Sequence, residues 1–190
     1  MKTAIILHGM PSKEEYLNNP DRPSPSNSHW LPWLQQQLIV RGILAQTPEL
    51  PEPYAPDYGK WRAVLERFPI DEETILVGHS CGGGFLVRWL SEHGVRVGKV
   101  ALIAPWINPK DSRLVSGFFD FEIDSDLAAR AVEIRLFISA DDDKEELDTA
   151  ELLKKSVKGI TVAEFTDRGH FTYGDMGTDR FPELSEYLLA

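Results

Sequence analysis

The sequence predicts an α/β protein: a three-layer αβα sandwich around a mostly parallel sheet of about six strands. Six short runs rich in Ile, Val and Leu recur along the chain, and the segments between them carry apolar residues at helical spacing. That alternation implies parallel strands with helices covering both faces of the sheet. No interdomain linker and no internal repeat interrupts it, so residues 1–190 are expected to form one domain of ordinary size.

The predicted strands, in order, are Ala4 to Leu7, Ile43 to Gln46, Thr74 to Gly78, Val100 to Ala104, Ile134 to Ser139 and Ile160 to Phe165. A first amphipathic helix is carried by Trp30, Trp33, Leu34, Gln37, Leu38 and Arg41, and Gly42 stops it. Trp61, Val64, Leu65 and Phe68 carry a second, ending at Pro69. A third begins just after Ser80 and runs through Phe85, Leu86, Trp89 and Leu90 toward Gly94. A fourth covers about Lys144 to Val157, and the last spans about Phe181 to Leu189 and docks the C-terminus onto the sheet. Two stretches break the rhythm and read as long loops that border a site: Pro11 to Ser28, and Pro48 to Tyr58 with its four prolines.

Bulk composition narrows the function. Hydrophobic residues make up 42% and charged residues 26%, as in a folded globular protein. A formal charge of −10, with no cluster of Lys and Arg, argues against nucleic acid as a partner. The lone cysteine, Cys81, rules out an intrachain disulfide, and the apolar run before His8 is shorter than a signal-peptide core or a membrane span; a cytoplasmic location is the expectation. No CxxC, HxH or HExxH pattern supports a metal site. Gly82-Gly83-Gly84 lacks both the Lys-Ser/Thr ending of a P-loop and the spacing of a dinucleotide fingerprint, so no cofactor is expected.

The strongest local signal is Thr74-Ile75-Leu76-Val77-Gly78-His79-Ser80-Cys81-Gly82, an apolar strand entering G-x-S-x-G and then a helix. The bare pattern by itself reads as a flexible turn with no chemistry. Between a strand and a helix it reads as a nucleophile elbow, which lifts the serine hydroxyl above the C-terminal edge of the sheet at a helix N-terminus. A serine needs a base, and the base needs an orienting acid. The chain supplies both in the order this fold uses: Asp141-Asp142-Asp143 after the fifth strand, then His170 after the sixth. Among the other four histidines, His79 is expected to point away from the cleft, while His29 and His93 read as surface or packing residues. His8-Gly9-Met10 follows the first strand, where the backbone amides of Met10 and Cys81 would form an oxyanion hole. Cys81 itself, off the central position of the motif, is not expected to act as a nucleophile.

These segments, together with His29-Trp30-Leu31-Pro32-Trp33-Leu34 and the closing Gly169-His170-Phe171, resemble the small serine hydrolases related to retinoblastoma-binding protein nine and the bacterial YdeN-like proteins. The resemblance covers nearly the whole chain. It implies a minimal α/β-hydrolase fold without a large cap, Ser80 and His170 as nucleophile and base, and Asp142 as the acid. It also implies Trp30 and residues near Phe118 to Phe121 close to the cleft. The chain departs from the family in adding Asp143 and in carrying Lys144-Glu145-Glu146 where Pro or apolar residues are usual, which leaves the choice among Asp141, Asp142 and Asp143 open.

The function expected is hydrolysis of a small acyl ester through a Ser-His-Asp triad, with a small-molecule ester as substrate. The alternative is a protein-interaction module that keeps the fold with vestigial activity and binds a protein partner. Trp30, Trp106, Phe118 and Phe119 either line an apolar acyl pocket or belong to the core.

Overall fold

A computed structural model describes residues 1–18, 23–107, 115 and 117–190; residues 19–22 of the first predicted loop lie outside the described residues. Among the described residues, six strands form one parallel sheet: β1 (Thr3–Leu7), β2 (Leu44–Gln46), β3 (Ile75–His79), β4 (Val97–Ile103), β5 (Ala131–Ser139) and β6 (Thr161–Phe165). Their spatial order is β2-β1-β3-β4-β5-β6, and every neighbouring pair is parallel. The chain adds β2 on one side of β1 and then returns to add β3 on the other. Such a reversal opens a crevice at the carboxyl ends of the two central strands, the usual ligand site of open α/β sheets.

Alternation along β1 shows how the layers are built. Ile5 and Leu7 pack on one face with Trp61 and Leu65 of helix α3 (Tyr58–Leu65), Phe85 and Leu86 of α4 (Cys81–Glu92), and Leu153 of α5 (Lys144–Ser156). Ala4 and Ile6 pack on the other face with Leu31, Leu34 and Leu38 of α2 (Leu31–Ile39), and with Leu184 and Leu188 of α7 (Pro182–Leu189). Each fully buried Leu, Ile or Phe contributes about 1.5–3 kcal/mol, so the two faces clamp the sheet independently of loop contacts.

Local chemistry sets the helix ends. Asp57 caps α3 by accepting from the Lys60 amide at 2.8 Å. Pro32 and Pro182 sit in the first turns of α2 and α7, where a missing N–H costs nothing. In α5, Glu145 and Glu146 lie in the first turn and Lys154 and Lys155 in the last, matching the helix dipole.

Two short helices form where the sequence predicts none: α1 (Lys13–Asn18), inside the first predicted loop, and α6 (Tyr173–Met176). Both rest on reciprocal caps. Ser12 and Glu15 exchange side chain-to-amide bonds at 3.1 Å in each direction, and Thr172 and Asp175 form a full capping box. Strands β4 and β5 start three residues earlier than predicted, because Val97 pairs with Ala131 before the apolar runs begin. Among the described residues, no helix is long and apolar enough to cross a membrane.

The crossing of β3 into α4 is tightly packed. A Cβ added to Gly78 would lie 2.7 Å from the Gly82 carbonyl oxygen and 2.7 Å from the Gly83 Cα, and one on Gly82 would lie 2.4 Å from the His8 carbonyl oxygen. Backbone must move to admit either methyl. Gly78→Ala is therefore expected to lower stability by about 1–3 kcal/mol, the usual range for forced overpacking, read as a drop in urea midpoint at constant m-value.

Candidate active site

Ser80 stands between β3 and α4, as the N-cap of the helix, with φ 53° and ψ −123°, a conformation L-residues rarely adopt. Strain of this kind persists only where the surroundings over-determine it. Here the Ser80 amide donates to the Ile103 carbonyl at 2.8 Å, and the Ser80 carbonyl accepts from the Gly84 and Trp106 amides at 3.1 Å each. The Gly9 turn presses from the other side: a Cβ there would stand 2.9 Å from that of Ser80. The side chain makes no hydrogen bond to the helix it begins, which leaves it directed at the cleft.

His170 reaches the same cleft from the loop after β6. Its Nδ1 lies 3.1 and 3.3 Å from the two carboxylate oxygens of Asp142, whose side chain is only 2% exposed. The three consecutive aspartates divide their work. Asp141 accepts from the Ser139 hydroxyl at 2.5 Å and from the Gly169 amide at 3.0 Å, tying the His170 loop to the end of β5. Those bonds, the Ser139 contact foremost, hold its carboxyl below the ordinary aspartate value. Asp143 is exposed and occupies the N-cap of α5. Only Asp142 meets the imidazole.

The loop carrying His170 is fixed at several further points. Asp175 accepts from the His170 amide at 3.1 Å, and the Arg168 amide donates to the Ser139 hydroxyl at 3.0 Å. His79 does not point away from the cleft, contrary to expectation. Its buried ring packs against that of His170 with centroids 5.1 Å apart, and its Nε2–H donates to the His170 carbonyl at 2.8 Å. Burial, reinforced by the neighbouring His170 and His29, holds His79 well below the ordinary histidine value, so it stays neutral and serves as a fixed donor. His29 is a cleft residue too, and its Nδ1 accepts from the Tyr173 amide at 3.0 Å. Local sequence patterns gave no hint of these two contacts, since both join segments far apart in sequence.

His170 itself is subject to opposing influences. Burial disfavours the imidazolium, but the Asp142 hydrogen bond and charge, with Glu146 and Asp175 beyond them, outweigh it and raise the group above its ordinary value. His8, buried after β1, is pushed the other way by burial. Its Nε2 accepts from the Leu50 amide at 2.9 Å and its Nδ1 faces the Gly9 carbonyl at 2.8 Å, so the neutral ring staples the proline-rich loop to the turn that leads into Met10. Met10 lines the cleft beside Ser80, and Cys81, as the first residue of α4, presents an amide with no intrahelical acceptor. The Cys81 thiol is completely buried and pushed far up by that burial, which removes it as a nucleophile.

Two expected substrate contacts are corrected. Trp30 is fully buried; its Nε1–H donates to the Phe171 carbonyl at 3.1 Å and its ring meets Phe181 and His79 edge-on. Phe118 is 1% exposed and packs among Trp61, Phe85 and Tyr58. Both belong to the core rather than the cleft. Trp106 and Phe119 likewise pack on that core. The cleft, about 1130 Å³, is instead bordered among the described residues by Tyr16, His29, Tyr173 and Asp179 around Ser80 and His170. One further cluster is present: Asp142, Glu146 and His170 bring potential ligand atoms within 4.8 Å of one another, but His170 Nδ1 is already committed to Asp142.

A parallel sheet with a reversal between its central strands, helices on both faces and a serine on a strained strand-to-helix turn defines the α/β-hydrolase class. The family model described as "Serine hydrolase" matches residues 22–190, and the chain belongs to that family. It is similar to the putative hydrolase YdeN of Bacillus subtilis, 26% identical over 138 residues that cover 70% of this chain and 72% of YdeN. Similarity to the serine hydrolase RBBP9 of Rattus norvegicus is 26% over 151 residues, or 75% of this chain and 77% of the relative. The crystal structure of the B. subtilis ydeN gene product shares the fold, with a TM-score of 0.81 over 100% of this chain and 97% of that one at 23% identity.

The buried His79–His170 contact is directly testable. His79→Phe leaves the His170 carbonyl without its donor and is expected to cost about 1–3 kcal/mol, measured by chemical denaturation.

Proposed function

We propose that this chain, as a single domain, is a carboxylesterase that hydrolyses small acyl esters through an acyl-serine intermediate, with Ser80, His170 and Asp142 as its triad. The observation that carries the reading is the buried Asp142 carboxylate against His170 Nδ1 at 3.1 Å, on the cleft where the strained elbow presents Ser80. An acid so placed fixes the tautomer that leaves Nε2 free to take a proton.

In the proposed reaction Ser80 Oγ attacks the ester carbonyl while its proton passes to His170 Nε2. The amides of Met10 and Cys81 receive the developing oxyanion, worth about 2.7–4 kcal/mol for a single donor in well-studied cases. Collapse of the tetrahedral species breaks the bond to the alkoxide leaving group, which takes the proton from the imidazolium. Water, deprotonated by the same His170, then cleaves the acyl-enzyme to acid and free serine. Asp142 orients the imidazole and stabilises its charged form.

The cleft's tyrosine, histidine and carboxylate border favours a short or polar acyl ester over a long aliphatic chain. A cytoplasmic setting fits a chain whose sole cysteine is a buried free thiol. Incubation with a fluorophosphonate and intact-mass analysis test the proposal. One adduct is expected on the native chain and none on Ser80→Ala. Asp142→Asn is expected to slow labelling by about 10³- to 10⁴-fold, as the wrong tautomer does in other triads, while Asp143→Asn labels like the native chain. A native chain that takes no adduct would turn the weight toward the protein-interaction alternative.

A further inference from the structure

Glu146 is one turn of α5 beyond Asp142, in a segment where this chain carries Lys144-Glu145-Glu146. A glutamate in a first helical turn ordinarily turns outward and is satisfied by water and the helix dipole. Glu146 does not: its Oε2 is buried and has no hydrogen-bond partner. Its carboxylate, that of Asp142 and the His170 ring lie within 4.8 Å of one another. An unpartnered carboxylate oxygen inside the protein is unfavourable while the neighbouring imidazole is neutral. It becomes favourable when that imidazole takes a proton. The two protonation states of His170 are thus unequal in what they offer Glu146, and an interaction stronger in the charged state lowers the barrier of a step that creates the charge.

We propose that Glu146 is a second acidic partner of His170: a positioning residue whose charge, added to that of Asp142, stabilises the imidazolium formed as Ser80 loses its proton. The inference rests on the hydrolase reading for its consequence in turnover, but the coupling between the two side chains stands without it. The groups facing His170 are Asp142 from the β5–α5 turn, Glu146 from α5, Asp175 from α6 through the backbone amide, and the neutral His79 from β3. Burial above all, with Asp142 and Asp143 facing it, pushes the Glu146 carboxyl up, whereas His170 pulls it down. Glu146 thereby takes up a proton more readily than an exposed glutamate, and its support for the imidazolium fades as the pH falls through that protonation.

The test is the titration of the His170 ring followed by NMR in the native chain, Glu146→Gln and Glu146→Leu, with the resonance assigned through His170→Asn. A carboxylate at about 4–6 Å moves a histidine by on the order of one unit, less when partly screened. The midpoint is therefore expected to fall by about 0.5–1 unit in both variants, and the acid limb of fluorophosphonate labelling to move down with it. Either variant suffices if the other does not fold. A His170 midpoint that stays at the native value overturns the proposal, and so does a variant that only melts earlier while its midpoint and acid limb hold. Should the native chain not label at all, the hydrolase reading fails, yet the ring titration still decides the coupling.

Discussion

A parallel sheet that reverses its winding between β1 and β3 must leave the carboxyl ends of those strands uncovered, and everything at the site follows from how the chain turns there. Two turns meet at the crevice, His8-Gly9-Met10 after β1 and Ser80 after β3, so close that neither Gly9 nor Gly82 could carry a side chain without backbone movement. The positive φ of Ser80 sits at that crowded point and is held by backbone hydrogen bonds to β4 and α4. Stability flows into the site from both packed faces of the sheet, which make the unfavourable backbone affordable.

Beyond the elbow, the site is a problem in placing charge on histidine. Three of the five histidines gather within ring contact: His29, His79 and His170. Their environments push them apart. His79 is kept neutral by burial and spends its N–H on the His170 backbone, while His170 is drawn toward its charged form by the acids behind it. The two rings are driven in opposite directions by what each touches, although both share one cleft wall. Asp141, Ser139 and Asp175 hold the backbone on which His170 rides, and Asp175 adds its charge to the acids that favour the imidazolium.

How much of this could be read from the sequence depends on the range of the interaction. Strand runs, the elbow and the order of serine, aspartates and histidine are local patterns, and the structure places each on the expected sheet edge. Which aspartate meets His170 was not a local matter: the helix start at Lys144 rotates Asp143 outward and Asp142 inward, a difference one residue wide. Trp30 and Phe118 misled because aromatic character does not say which way a ring faces; Trp30 precedes α2 and turns its indole under the Phe171 carbonyl. The short helices α1 and α6 carry too few apolar residues for periodicity to reveal them. Their Ser12-x-x-Glu15 and Thr172-x-x-Asp175 caps were the available signal, sufficient because nucleation is the costly step. Burial of Glu146 had no sequence signal, since first-turn acids are commonplace.

The most direct measurement of the account is the mass of the chain quenched in acid during turnover of a small activated ester such as p-nitrophenyl acetate, followed by peptide mapping. An acetyl group on the peptide containing Ser80, accumulating in a burst and vanishing as substrate is exhausted, is the predicted result. Turnover with the acyl group on another peptide, or a burst that survives in Ser80→Ala, would contradict it.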